Sequence, residues 1–173
     1  MPVKINGSTS GSVTLAAPAS GSDVTLTLPG TTGTVQTVPG AWTDWTPTWT
    51  NLTVGNATQT AVYSQVGKIV FFRIFLTLGS TSSVGTSPQF TLPVTASTTA
   101  YSSGLANIGT VNLRDTGTGS FQGNVAFNSS TSAVLFAHNV SGTRIVNSDV
   151  TSTVPFTWTS TDVIVCNGIY EAA

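Results

Sequence analysis

Apolar and polar side chains alternate along much of this chain, in short runs separated by Gly, Ser, Asn and Pro. The clearest run is Lys68–Leu78. Val70, Phe72, Ile74, Leu76 and Leu78 fall on one side of an extended strand, and Ile69, Phe71, Arg73, Phe75 and Thr77 on the other. Both sides are largely apolar, which predicts a central strand covered twice, by its own domain and by a neighbouring subunit. Within it, Val70, Phe72, Ile74 and Leu76 are the candidate core and packing residues. Further strands are predicted over Thr60–Val66, Gln89–Val94, Ala106–Leu113, Ser120–Phe127, Ala133–His138, Thr143–Val146, Pro155–Thr159 and Asp162–Tyr170, with Gly79–Ser87 as a polar loop. Helix signals are nearly absent, since no long window repeats apolar residues at three- and four-residue spacing. The pattern predicts an all-β fold, an antiparallel β-sandwich or jelly-roll-like domain over residues 41–173.

Residues 1–40 read differently. Val13-Thr14-Leu15 and Val24-Thr25-Leu26-Thr27-Leu28 alternate apolar and hydroxyl side chains, and Thr34–Val38 forms a third short run before Pro39-Gly40. This stretch has no aromatic residue, so it has little with which to bury a core of its own. It is expected to be an extended, β-rich anchoring arm that becomes ordered against a partner, with Val13, Leu15, Val24, Leu26 and Leu28 as its anchoring side chains.

Composition sharpens this picture. Only 6% of the 173 residues are charged and the net charge is −1, against about 25% charged in an ordinary soluble domain. Ser and Thr make up about 30% of the chain, well above ordinary usage. The balance excludes a basic nucleic-acid footprint and a polybasic membrane patch. Ile69–Leu78 is interrupted by Arg73 and is far shorter than the ~20 apolar residues of a membrane helix, so no membrane insertion is expected. No hydrophobic leader precedes the first strand and a single Cys166 cannot form an internal disulfide, which points to synthesis in the cytoplasm. Little repulsion keeps copies of such a chain apart, so it is expected to live in an assembly that covers much of its surface.

Candidate chemistry is sparse. His138 lies at the end of the apolar run Val134–Ala137 without acidic or sulfur neighbours in sequence, and Cys166 shares a strand face with Ile164, as a small buried hydrophobe would. The carboxylates Asp23, Asp44, Asp115, Asp149, Asp162 and Glu171 are scattered, and no spacing sets two of them across a sugar. Glycines at 117, 119 and 123 do not open a helix, so they do not form a dinucleotide loop. Sequons at Asn51, Asn56, Asn128 and Asn139 are what chance supplies in so hydroxyl-rich a chain. No catalytic residue, metal or cofactor is expected. Trp42, Trp45 and Trp49 crowd around Pro47, and Trp45, Pro47 and Trp49 would point the same way in an extended segment. They read either as a platform for sugar rings or as packing at a joint or subunit interface, and Trp158 is open to the same two readings.

Trp45–Asn56, continuing through Tyr63–Lys68, resembles a module recurrent in tailed-bacteriophage structural proteins, as do Leu76–Gly85 and Phe90–Val94. Ser12–Pro18, with Leu26–Pro29 and Gly33–Val35, is similar to N-terminal segments of phage fibre-like proteins. The resemblance implies a non-enzymatic protein of the virion surface, a homotrimer whose arm docks on the major capsid protein or another virion protein. It fits a capsid decoration or head fibre, with a short tail fibre or baseplate protein binding a host-surface glycan or receptor as the alternative.

Overall fold

A computed structural model describes residues 3–6, 12–15 and 42–173. The chain divides into two compact units, Met1–Val35 and Gln36–Ala173. In the first, β1 (Val3–Asn6) and β2 (Ser12–Leu15) pair antiparallel, Val3 opposite Leu15 and Ile5 opposite Val13. The strand β2 thus carries Val13 and Leu15, whereas Val24, Leu26 and Leu28 lie outside the described residues.

The second unit is all-β, as the alternation predicts. Its ten strands are β3 (Thr43–Asp44), β4 (Trp49–Thr53), β5 (Thr58–Val66), β6 (Ile69–Thr77), β7 (Ser83–Thr91), β8 (Asn107–Asp115), β9 (Gly119–Ser129), β10 (Ser132–Ser141), β11 (Arg144–Asp149) and β12 (Val163–Glu171). They form one continuous antiparallel sheet in the order β3-β5-β6-β12-β8-β9-β10-β7-β4, with β11 also on β10, curled into a half-barrel. The expected pair of stacked sheets is therefore resolved as a single sheet that bends round to face itself. β6 is central, with β5 on one side and β12 on the other along its whole length. A two-residue turn joins β5 to β6, where Gly67 takes a φ of +58° that other residues adopt only at a cost.

Two expected elements differ. The strand β7 starts at Ser83, inside the stretch read as a polar loop, because Val84, Pro88 and Phe90 all turn inward while small polar residues fill the positions between. Pro155–Thr159, expected as a strand, is irregular, and the Trp158 indole N–H donates to the Thr151 carbonyl 2.9 Å away. The Trp158 amide donates to the Ser152 carbonyl at 3.4 Å, so both bonds tie the segment back to its own loop and not to a strand.

The concave face carries the core. Val70, Phe72, Ile74 and Leu76 of β6 are buried with Val111 and Leu113 of β8, Val125 and Phe127 of β9, Leu135 of β10, and Ile164, Cys166 and Tyr170 of β12. Phe72 is the hub, with ring centroids 5.8 Å from Phe90 and 6.0 Å from Tyr170. Gly168 makes room for it, since a β-carbon there would run into the Phe72 ring and the Ile108 carbonyl. Tilted aromatic packing of this kind contributes about 0.5–1.5 kcal/mol per pair beyond area burial.

Candidate functional site

The tryptophan-rich segment closes the half-barrel. The strand β3 pairs with β5 at one end of the sheet order and β4 pairs with β7 at the other, so Trp45–Thr48 crosses between the two sheet edges as a strap. Trp45, Pro47 and Trp49 turn inward along it while Thr46, Thr48 and Thr50 face solvent, which is the alternation of an extended chain. The Trp49 ring lies 5.5 Å and the Trp45 ring 6.4 Å from Phe90 of β7. From the opposite edge, Gln59 of β5 accepts the Trp49 indole N–H at 2.6 Å, and the Trp45 amide donates to the Ala61 carbonyl. The indole N–H of Trp45 is the one buried side-chain polar atom without a partner among the described residues. Trp42 goes elsewhere, to the convex face, where the Arg73 guanidinium sits 4.7 Å from its ring centroid. The three tryptophans thus serve two sides of the sheet and do not form one platform.

That convex face splits into two kinds of surface. Cross-strand rows read from the register are Ser64–Phe71–Ile169, Val62–Arg73–Asn167 and Thr60–Phe75–Val165, with Asp44 extending the middle row beside Val62. Ile69 is 39% exposed, Phe71 40%, Trp42 44%, Phe75 48% and Ile169 49%. On β8, β9 and β10 the same face is mostly polar, with Thr110, Asn112, Arg114, Ser120, Gln122, Asn124 and His138, and the half-buried Phe136 stands opposite Asn124. His138 there meets the Asn124 side-chain oxygen at 3.1 Å, and the Asn124 amide donates to Asn147 at 3.0 Å, a polar link across three strands. Beyond it, Val140 and Ile145 pair near the end of the β10–β11 hairpin, both strongly exposed.

Trp158 occupies a third place. Its ring packs tilted against Phe156 with centroids 4.4 Å apart, Phe156 in turn lies 5.3 Å from Phe121, and an open groove of about 360 Å³ runs past the indole between Ser80, Ser83, Ser152 and Ser160. Hydroxyls dominate this groove and no charged side chain lines it.

Asp162, Cys166 and Tyr170 are committed to the fold. Asp162 is fully buried, and both its oxygens are engaged: one accepts the Thr116 amide at 2.9 Å, the other the Thr159 amide at 2.7 Å and hydroxyl at 3.2 Å. The carboxylate pins the β8–β9 turn to the loop before β12, while its own carbonyl accepts the Leu78 amide at 2.8 Å. Asp44 stands in the row of Asn167, five positions along β12 from Asp162, or about 17 Å at about 3.4 Å per residue. The two acids do not face each other across a glycosidic bond, which takes at most about 9.5 Å. Burial pushes the Cys166 thiol well up, which keeps it protonated and inert. Burial also raises the Tyr170 phenol to about 12, against a lowering by its hydrogen bond to Val94, whose carbonyl accepts the hydroxyl at 2.6 Å. Among the described residues no three His, Cys, Asp or Glu side chains converge as a metal site would require.

No family model matches the chain, and neither a curated protein nor a solved structure is significantly similar to it. The likeness to phage structural proteins therefore stands on the sequence motifs alone.

Proposed function

We propose that this chain is a non-enzymatic structural protein of a bacteriophage virion, a homotrimeric capsid decoration or head-fibre protein held to the particle by its N-terminal arm. The observation that carries this reading is the apolar convex face of β5, β6 and β12 on a chain with 6% charged residues. Such a surface is poorly suited to a free monomer and well suited to a component covered by neighbours. The division into Met1–Val35 and Gln36–Ala173 supports an anchor and a head as separate tasks. Antibody labelling of intact particles, read by electron microscopy, tests the placement: label over the head is expected, and particles without label overturn the reading.

A second reading, a short tail fibre or baseplate protein binding host-surface glycan, is favoured by the hydroxyl-lined groove beside Trp158, because aromatic rings with neutral hydroxyls suit sugars. Label at the tail tip would select it.

A further inference from the structure

We propose that copies of this chain associate through the convex face of β5, β6 and β12. The inference rests on the oligomeric virion reading above and names its contact surface. Three observations converge on a second copy as the occupant.

The first is area. Five side chains, Trp42, Ile69, Phe71, Phe75 and Ile169, are each about two-fifths to one-half exposed. At about 200 Å² for a full large side chain they present roughly 450 Å² of apolar surface. That is over half of the about 800 Å² per partner in a standard interface, before the half-buried Val62, Val66 and Val165 are added.

The second is charge. The charged residues on β3, β5, β6, β12 and the β5–β6 turn are Asp44, Lys68, Arg73 and Glu171, two of each sign. A face with no net charge meets its own copy without repulsion. Asp44 and Arg73, on either side of Val62 in one row, also give each copy an acid and a base to offer the next. A partner of strongly single-signed surface would find no match here.

The third is shape. A notch of about 210 Å³ opens on this face between Val62, Arg73, Phe75 and Val165; the Arg73 guanidinium that lines it lies 4.7 Å from the exposed Trp42 ring, and the exposed Phe71 stands in the next row. One surface therefore offers both a cavity and the aromatic side chains to fill a cavity on a neighbour, as packed interface cores require.

The test uses the full chain. Sedimentation velocity and light scattering are expected to show an oligomer for the wild type. The double variant Phe71→Asp/Phe75→Asp is expected to be a monomer with unchanged far-ultraviolet circular dichroism, its association weakened by more than about 100-fold. In parallel, Ile169→Cys in a Cys166→Ala background should be joined between copies by a short bis-maleimide, whereas Ile145→Cys in the same background should not. Should the double variant misfold, the cross-linking pair decides alone. An oligomer that survives Phe71→Asp/Phe75→Asp, or Ile169→Cys chains that stay uncrosslinked in an oligomer, overturns this face as the contact and leaves the virion reading standing. A monomeric wild type overturns both this inference and the homotrimer, while particle labelling still judges placement on a virion.

Discussion

Phe71 and Phe72 are neighbours on one strand, chemically identical, and they live in opposite environments. Phe72 is fully buried against Phe90, Tyr170 and the bare backbone of Gly168. Phe71, one residue away, stands on the convex face between Ser64 and Ile169. The same division runs along the strand, with Val70, Ile74 and Leu76 inside and Ile69 and Phe75 outside. A strand needs only one apolar side to fold. The second side of β6 leaves about two-fifths to one-half of Ile69, Phe71 and Phe75 in water, and apolar surface of that kind on a charge-poor protein supports the contact face proposed above.

The sharpest way to break that comparison is to place the same charge on each side. Phe72→Asp buries a carboxylate with no partner and empties the centre of the aromatic cluster, so a loss of more than about 4 kcal/mol and failure to fold are expected. Phe71→Asp should change single-chain stability by no more than about 1 kcal/mol, because its carboxylate reaches water. Urea titration followed by tryptophan fluorescence should show a cooperative unfolding transition for Phe71→Asp and none for Phe72→Asp. Equal losses at 71 and 72 would show that the convex face is as much a part of the core as the concave one.

Much of this was legible beforehand, and the illegible part has a physical cause. Period two assigns Val70, Phe72, Ile74 and Leu76 to one side of β6, but with apolar residues on both sides it cannot say which side is inward. That depends on the direction in which the sheet curls, a property of all ten strands together. Trp45, Pro47 and Trp49 were readable as sharing a direction. Their work as a strap was not, since it requires β3 and β4 to sit at opposite ends of the sheet order, and the contacts that reveal it join Trp49 to Gln59 and to Phe90. Val84 in the segment before Pro88 looked like an isolated apolar residue in a loop because its partner Leu52 lies 32 positions earlier. Asp162 looked like any scattered acid, and only the tertiary meeting of two turns buries it.

Asp162 supplies the next test, again by comparing an inner and an outer group. Asp162→Ala leaves the Thr116 and Thr159 amides without acceptors in the closed loop junction, and a loss of about 3 kcal/mol is expected from charge-assisted bonds of this kind. Asp44→Ala, at an exposed position on the short edge strand, should stay within about 0.5 kcal/mol. Thermal unfolding of the two variants at pH 7 separates them. Similar melting temperatures would mean that the loop junction is held by its backbone bonds alone, chiefly Leu78 to Asp162 and Thr161 to Leu78.

The smallest effect concerns alkaline pH and distinguishes the concave face from the convex one by desolvation. Tyr170 has its folded-state phenol raised from 10.0 to about 12, so the stability it contributes is complete below pH 10 and is lost as pH rises through about 12. Cys166, raised by burial from 9.0, acts in the same direction and begins at lower pH. Tyr170→Phe gives up the hydroxyl that both accepts the Val94 amide at 3.0 Å and donates to its carbonyl, at a cost of about 1 kcal/mol at pH 7. In exchange it removes the phenol's titration. Between pH 10 and 12 the wild type should lose stability faster than Tyr170→Phe, and the two urea midpoints should converge as pH rises. Repeating the series in a Cys166→Ala background isolates the phenol, because no thiol then titrates in the core. Parallel pH profiles for the wild type and Tyr170→Phe would show that water reaches Tyr170 from the Val94 side, and that the concave face is less closed than its packing implies.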